Sequence, residues 1–151
     1  MNPVKYERAL HRLAAYCSRG ERCVYDIRQK MIRWGLSEAE QKKAVQYLQR
    51  EHFLDEKRYC RAFVHDKSQY NHWGSYKIQY ELKKKQIPDG LIREAISEMD
   101  KEVQREQLQK LLVHKRKTVK GANEYEINQK LIRFAAGKGF PLEDIEAALG
   151  I

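Results

Sequence analysis

The chain is poor in the residues that interrupt helices or punctuate sheets, with 8 Gly and 3 Pro among 151 residues. No Asn-Gly turn sits between alternating segments, so strand signals are nearly absent. The longest uninterrupted apolar run is the five residues from Leu13 to Cys17. A membrane span needs roughly 20 apolar residues and a signal-peptide core roughly 7–15, so neither is available. This predicts a cytoplasmic protein with no membrane partner. Three cysteines, Cys17, Cys23 and Cys60, are odd in number and form no C-x-x-C pair. They read as reduced thiols on helices, not as a disulfide framework or zinc ligands.

Catalytic patterns are missing as well. The nearest approach to a phosphate-cradling loop, Gly137-Lys138-Gly139-Phe140, lacks the first glycine spacing and the hydroxyl. The five histidines, His11, His52, His65, His72 and His114, include no H-E-x-x-H pair and no spacing suited to a facial metal triad. No serine sits in G-x-S-x-G, and no cysteine neighbours a motif that lowers its pKa. The expectation is a non-enzymatic binding protein with no metal and no cofactor.

What is present in quantity is positive charge and helical periodicity. Lys plus Arg number 30 against 21 Asp plus Glu, a formal net charge of +9. Such an excess favours polyanionic partners through counterion release without selecting one. Apolar residues recur at intervals of three and four, as in amphipathic helices. Start signals recur too: Asn2-Pro3, Ser37 with Glu40, Asp55, Pro88, Asp100, Asn123 with Glu126, and Pro141 with Glu143 and Asp144. They mark about nine helices and an all-α fold.

The sequence repeats. Tyr25-Asp26-Ile27, Tyr76-Lys77-Ile78 and Tyr125-Glu126-Ile127 stand 51 and 49 residues apart. Four residues after each Ile comes Met31, Leu82 or Leu131, and the next helix begins after Leu36-Ser37, Ile87-Pro88 or Phe140-Pro141. From that entry residue the spacing again holds: Gln41, Ile92 and Ile145 at plus five, then Ala44, Ala95 and Ala148, then Val45, Ile96 and Leu149. The third unit gains four residues around Ala136 to Gly139. The pattern predicts three tandem three-helix repeats, residues 1–51, 52–99 and 100–151, each opening on its longest helix. Units this small bury too little apolar surface alone, so they stack into an elongated, curved array that is monomeric.

The segment Phe53-Leu54-Asp55-Glu56-Lys57-Arg58-Tyr59-Cys60-Arg61-Ala62-Phe63-Val64 predicts a helix capped by Asp55, with Tyr59, Cys60, Phe63 and Val64 facing inward. It also resembles the hallmark of the RecX family of bacterial recombination regulators, an apolar-Asp-Asp/Glu-x-x-Tyr-Ala-x-x-Phe-Val string. In that family a Gly and a middle helix of the form Lys-Ile-x-x-Glu-Leu follow, here Gly74 and Lys77-Ile78-Gln79-Tyr80-Glu81-Leu82. The chain departs in having Gln86 where the family usually carries a glycine, and Cys60 where alanine is common. The resemblance implies a protein that binds the RecA recombinase filament on DNA and limits its growth or its ATP-driven strand exchange. Binding to bare single- or double-stranded DNA would be weak and sequence-tolerant.

Candidate contact residues for recombinase and DNA are Arg58, Arg61 and Lys67 on the first helix of unit two, Trp73 in the turn after it, and Lys77, Tyr80, Lys83 and Lys84 on the middle helix. Lys115, Arg116 and Lys117 form a further candidate in unit three. Tyr76, Tyr80 and Lys83 lie at i, i+4 and i+7 on one helical stripe, while Ile78 and Leu82 face the core. Lysines beside tyrosines suit a phosphate backbone or an acidic protein groove. The recurrence of Tyr25, Tyr76 and Tyr125 at one repeat position argues instead that this tyrosine packs against an adjoining helix. Two other readings fit the charge: a helix-turn-helix factor whose 37–50 helix enters the major groove with Gln41, Lys42, Lys43, Gln46 and Gln49, and an RNA-binding helical module.

Overall fold

The structure is a computed structural model that describes residues 3–151; the cap expected at Asn2 lies outside them. The described residues form helices and no strand: α1 (Pro3–Ser18), α2 (Val24–Arg33), α3 (Glu38–Arg50), α4 (Glu56–Gln69), α5 (Ser75–Lys84), α6 (Asp89–Ser97), α7 (Lys101–Arg116), α8 (Glu124–Gly137) and α9 (Leu142–Leu149). Among them, no helix is long and apolar enough to cross a membrane.

The helix starts follow from local side-chain chemistry. Ser37 and Glu40 form a reciprocal capping box at 3.1 and 2.9 Å. Asp55 accepts from the Arg58 amide, Asp100 from those of Glu102 and Val103, and Asn123 from that of Glu126. Each such cap satisfies helix-start donors that otherwise have no partner. Helix α8 has 14 residues where α2 and α5 have 10, so the four extra residues of unit three lengthen its middle helix by about one turn.

Three apolar cores result. Ile27 and Met31, Ile78 and Leu82, and Leu131 with Phe140 are buried in the first, second and third, at the positions the repeat assigns them. The third-unit position of Ala148 and Leu149 is only partly buried. The accessible surface, 9730 Å², exceeds the roughly 8,000 Å² of a globular monomer of this mass, as an extended array of small cores requires.

Two details depart from expectation. Phe53 and Leu54, assigned to unit two by the 51/52 division, pack on the first core. The reason is the turn after α3, where the amides of Phe53 and Leu54 both fold back onto the Leu48 carbonyl at 2.8 and 3.0 Å. Cys23 is not on a helix but at the N-cap of α2, and it is fully buried in the second core although it belongs to unit one.

The position before each third-helix entry is left-handed in every unit: Gly35 at φ 77°, Gln86 at 57° and Gly139 at 97°. The departure noted at Gln86 therefore sits where the backbone favours glycine.

A candidate aromatic and basic interface

Helix α4 ends at Gln69, and the chain turns through His72 so that the Trp73 amide closes onto the Lys67 carbonyl at 3.0 Å. This brings Trp73 back over α4, where its ring meets Phe63 edge-on at 6.3 Å. The Lys67 and Lys77 ammonium groups lie 5.1 and 4.7 Å from the Trp73 ring centroid. Lys67, Trp73 and Lys77 thus form one cluster, with the indole partly buried against the second core. The cation–π attraction holds the two charges near each other despite their repulsion.

One turn along α5 the surface continues. Tyr76 and Tyr80 are 57% and 62% exposed, and Lys83 on the same stripe is exposed with no ion pair among the described residues. Lys84 reaches Glu81 at 3.5 Å and lies 5.4 Å from the Tyr80 ring. Packing of the repeated tyrosine against a neighbour holds only for the half-buried Tyr25; Tyr76 and Tyr125 face solvent. The cause is visible at Tyr25, where Lys85 of the next unit covers the ring at 5.7 Å.

The other candidates are more committed to the fold. Arg58 pairs with Glu21 and donates to the carbonyls of His52 and Phe53, fastening unit one to unit two. Arg61 bonds Glu98 through two nitrogens at 3.2 and 3.1 Å, and the pairing raises its pKa. Arg116 binds Glu124 at 3.1 Å and Asn128 at 3.3 Å, while Lys115 lies 4.7 Å from the Phe134 ring centroid. Lys117, at the end of α7, is exposed. The structure therefore gathers Lys77, Tyr80, Lys83 and Lys84 on α5, with Trp73 in its entry turn and Lys67 reaching the same ring from α4. Lys115, Arg116 and Lys117 form a separate group on unit three.

On α3, the alternative reading loses a reader of bases: the Gln41 amide turns inward and donates to the Leu36 carbonyl at 3.1 Å. Arg33 belongs to the run Arg28-Lys30-Arg33, whereas Arg133 stands outside any run of positive charge. Both occupy the repeat position of Lys84, eight residues after the repeated tyrosine, and all three are exposed. Counting from the tyrosine is the signal that finds them.

Two family models match the chain in tandem, the second three-helix domain of RecX over residues 55–96 and the third over residues 102–149. The protein belongs to the RecX family. A regulatory protein RecX of Clostridium botulinum is 36% identical over 124 residues, covering 80% of this chain and 57% of its own length. The chain thus spans little more than half of that relative. The RecX of Prosthecochloris aestuarii is 29% identical over 142 residues, covering 94% of this chain and 91% of its own. Among solved structures, a regulatory protein RecX superposes with a TM-score of 0.89 at 22% identity, covering 97% of this chain and 74% of that one. RecX from Lactobacillus salivarius gives 0.88 at 17%, covering 99% and 97%. Both share the fold. The RecX relatives carry the name of regulatory proteins.

Proposed function

We propose that this protein is a non-enzymatic regulator of DNA recombination and repair that binds the filament formed by the RecA recombinase on DNA. Binding limits filament growth or strand exchange and ATP turnover. Family membership supports the recombinase as partner. The carrying observation in the chain itself is the exposed stripe of Tyr76, Tyr80 and Lys83 beside the Lys67–Trp73–Lys77 cluster, on an array with more surface than a globe of its mass. An elongated monomer can touch several protomers at once, and such multivalent contact raises affinity without any deep pocket. Positive charge adds encounter rate and contact with DNA phosphate. Specificity lies in the protein partner, and DNA alone is held weakly.

The test is co-sedimentation with preformed RecA–DNA filaments, with and without nucleotide. The protein is expected in the pellet in proportion to filament and at low level with DNA alone. Failure to pellet with filaments, joined to tight binding of structured RNA, would overturn the reading.

A further inference from the structure

The two joints between successive units are built differently. At the first, Cys23 of unit one is fully buried in the core of unit two, and Tyr25 packs on it. The Val24 amide donates to Glu56 at 3.3 Å, Asp26 meets Lys85 at 2.7 Å, and Glu21 pairs with Arg58. Units one and two thus share an apolar core and are cross-braced by charge.

At the second joint no apolar side chain of unit two enters the third core, and none of unit three enters the second. The contacts are polar. The Gly74 amide donates to the Lys138 carbonyl at 2.7 Å and the Tyr76 amide to that of Gly139 at 2.9 Å. Start donors of α5 are thereby satisfied by the carbonyls just past the end of α8, so the positive end of one helix meets the negative end of the other. The backbones nearly touch: a Cβ on Gly74 would lie 2.5 Å from Gly139 backbone atoms, and one on Gly139 2.4 Å from the Lys77 Cβ. Beyond this point contact there are the short link between α6 and α7, where the Gln104 side-chain amide donates to the Met99 sulfur at 3.0 Å, a Ser68–Gln107 bond at 3.2 Å and a Lys138–Asn71 bond at 3.4 Å.

Two clefts lie between units two and three, the first of them beside the Gly74–Gly139 contact. One, of about 510 Å³, runs between Tyr76 and Met99 on one wall and Arg105, Phe140 and Asp144 on the other. The second, of about 270 Å³, lies between Arg61 and His65 of unit two and Val103 of unit three, and Gln104 borders both.

We infer that unit three pivots as one body, about the line through the Gly74–Gly139 contact and the α6–α7 link, against a rigid block made of units one and two. Two attachments leave one rotation, which closes one cleft as it opens the other. The side-chain bonds it breaks exchange readily for water, and no apolar core is divided. On the filament-binding reading, the pivot lets unit three follow a groove of changing pitch while α5, on the rigid block, keeps its hold.

Distances between spin labels test this on the free protein, so the outcome does not depend on what the protein binds. The three native thiols are buried, and exposed positions take the labels: Gln46→Cys on α3, Arg93→Cys on α6 and Gln109→Cys on α7. The 46–93 pair is expected to give one narrow distance distribution and the 93–109 pair a broad or two-peaked one. Gly74→Ala should broaden the second pair further and leave the first unchanged. A 93–109 distribution as narrow as the 46–93 one in the wild-type background would overturn the pivot. Added RecA–DNA filament is expected to narrow the 93–109 distribution. A broad free-state distribution together with failure to pellet with filaments would leave the pivot standing and remove the filament reading.

Discussion

Asp26 at the start of α2 and Lys85 just past the end of α5 form an ion pair at 2.7 Å. The residues at the equivalent positions of the next joint are Lys77 and Lys138, two like charges, so the pair cannot recur there. The second joint is made by backbone instead, and Lys77, relieved of a joint partner, lies over Trp73. One change of charge within the repeat thus separates the bracing of the array from its aromatic and basic face.

The Asp26–Lys85 pair is about two-thirds buried on each side, and Asp26 raises the pKa of Lys85. Asp26→Asn should lower stability by about 1 kcal/mol, between the worth of an exposed pair and that of a buried charged hydrogen bond. A double-mutant cycle with Lys85→Ala, read from urea midpoints, should show positive coupling that shrinks as salt rises. Additive effects would mean that the pair does not brace the joint.

Gln86 holds φ at 57°, whereas Gly35 and Gly139 occupy the same position in the other units. A left-handed non-glycine residue costs roughly 1–2 kcal/mol, partly offset because glycine has more freedom to lose on folding. Gln86→Gly should therefore raise stability by about 0.5–1 kcal/mol, seen as a higher urea midpoint with unchanged slope. A loss would show that the Gln86 side chain contributes something its exposure does not suggest.

Much of this architecture is legible in the sequence because each unit must fill its own small core. Ile27 and Met31, Ile78 and Leu82, and Leu131 keep their spacing since a change of register would expose them. The caps at Ser37, Asp55, Asp100 and Asn123 are local and equally readable. The joints are not, because they depend on where one unit ends against another. Periodicity gives no sign that Cys23 belongs to its neighbour's core, that Gly74 and Gly139 touch, or that Tyr76 and Tyr125 escape the cover Tyr25 receives. For the same reason charge runs alone do not distinguish Arg58 and Arg61, tied to Glu21 and Glu98, from the unpaired Lys83.

Burial pushes the thiols of Cys23 and Cys60 up to about 11. A folded pKa above that of the unfolded chain favours the neutral thiol in the fold. The resulting stability is fully present below about pH 9 and is lost as pH rises through 11. Burial also raises the Tyr59 phenol, which acts in the same direction from about pH 10 upward. Urea midpoints should fall across pH 9 to 11, and less steeply in a Cys23→Ala/Cys60→Ala variant. Equal slopes would assign the alkaline loss to other groups.

Binding to bare single-stranded DNA should fall steeply with salt, since each phosphate contact releases a counterion, with a log–log slope of about −0.7 per contact. Fluorescence anisotropy across a salt series measures it. Lys83→Ala should reduce the slope by about one contact's worth. A slope near zero would remove the electrostatic account of DNA binding.

The decisive surface experiment combines Lys77→Glu, Lys83→Glu and Lys84→Glu. Folding should be spared: Ile78 and Leu82 beneath them are untouched, the exposed Lys83 and Lys84 cost within about 0.5 kcal/mol each, and the half-buried Lys77 gives up its place over Trp73 for about 0.5–1 kcal/mol. Lys84→Glu adds repulsion from Glu81, a few tenths of a kcal/mol at this helical spacing. Inhibition of RecA strand exchange should nevertheless be lost, because three reversed charges meet an anionic partner with repulsion in both encounter and bound state. The matched control is Arg58→Ala, which should lower stability through loss of Glu21 and the His52 carbonyl while leaving inhibition intact where the protein remains folded. If the triple variant is folded by circular dichroism and still inhibits at wild-type concentration, the working surface is the other basic group, Lys115, Arg116 and Lys117 on unit three.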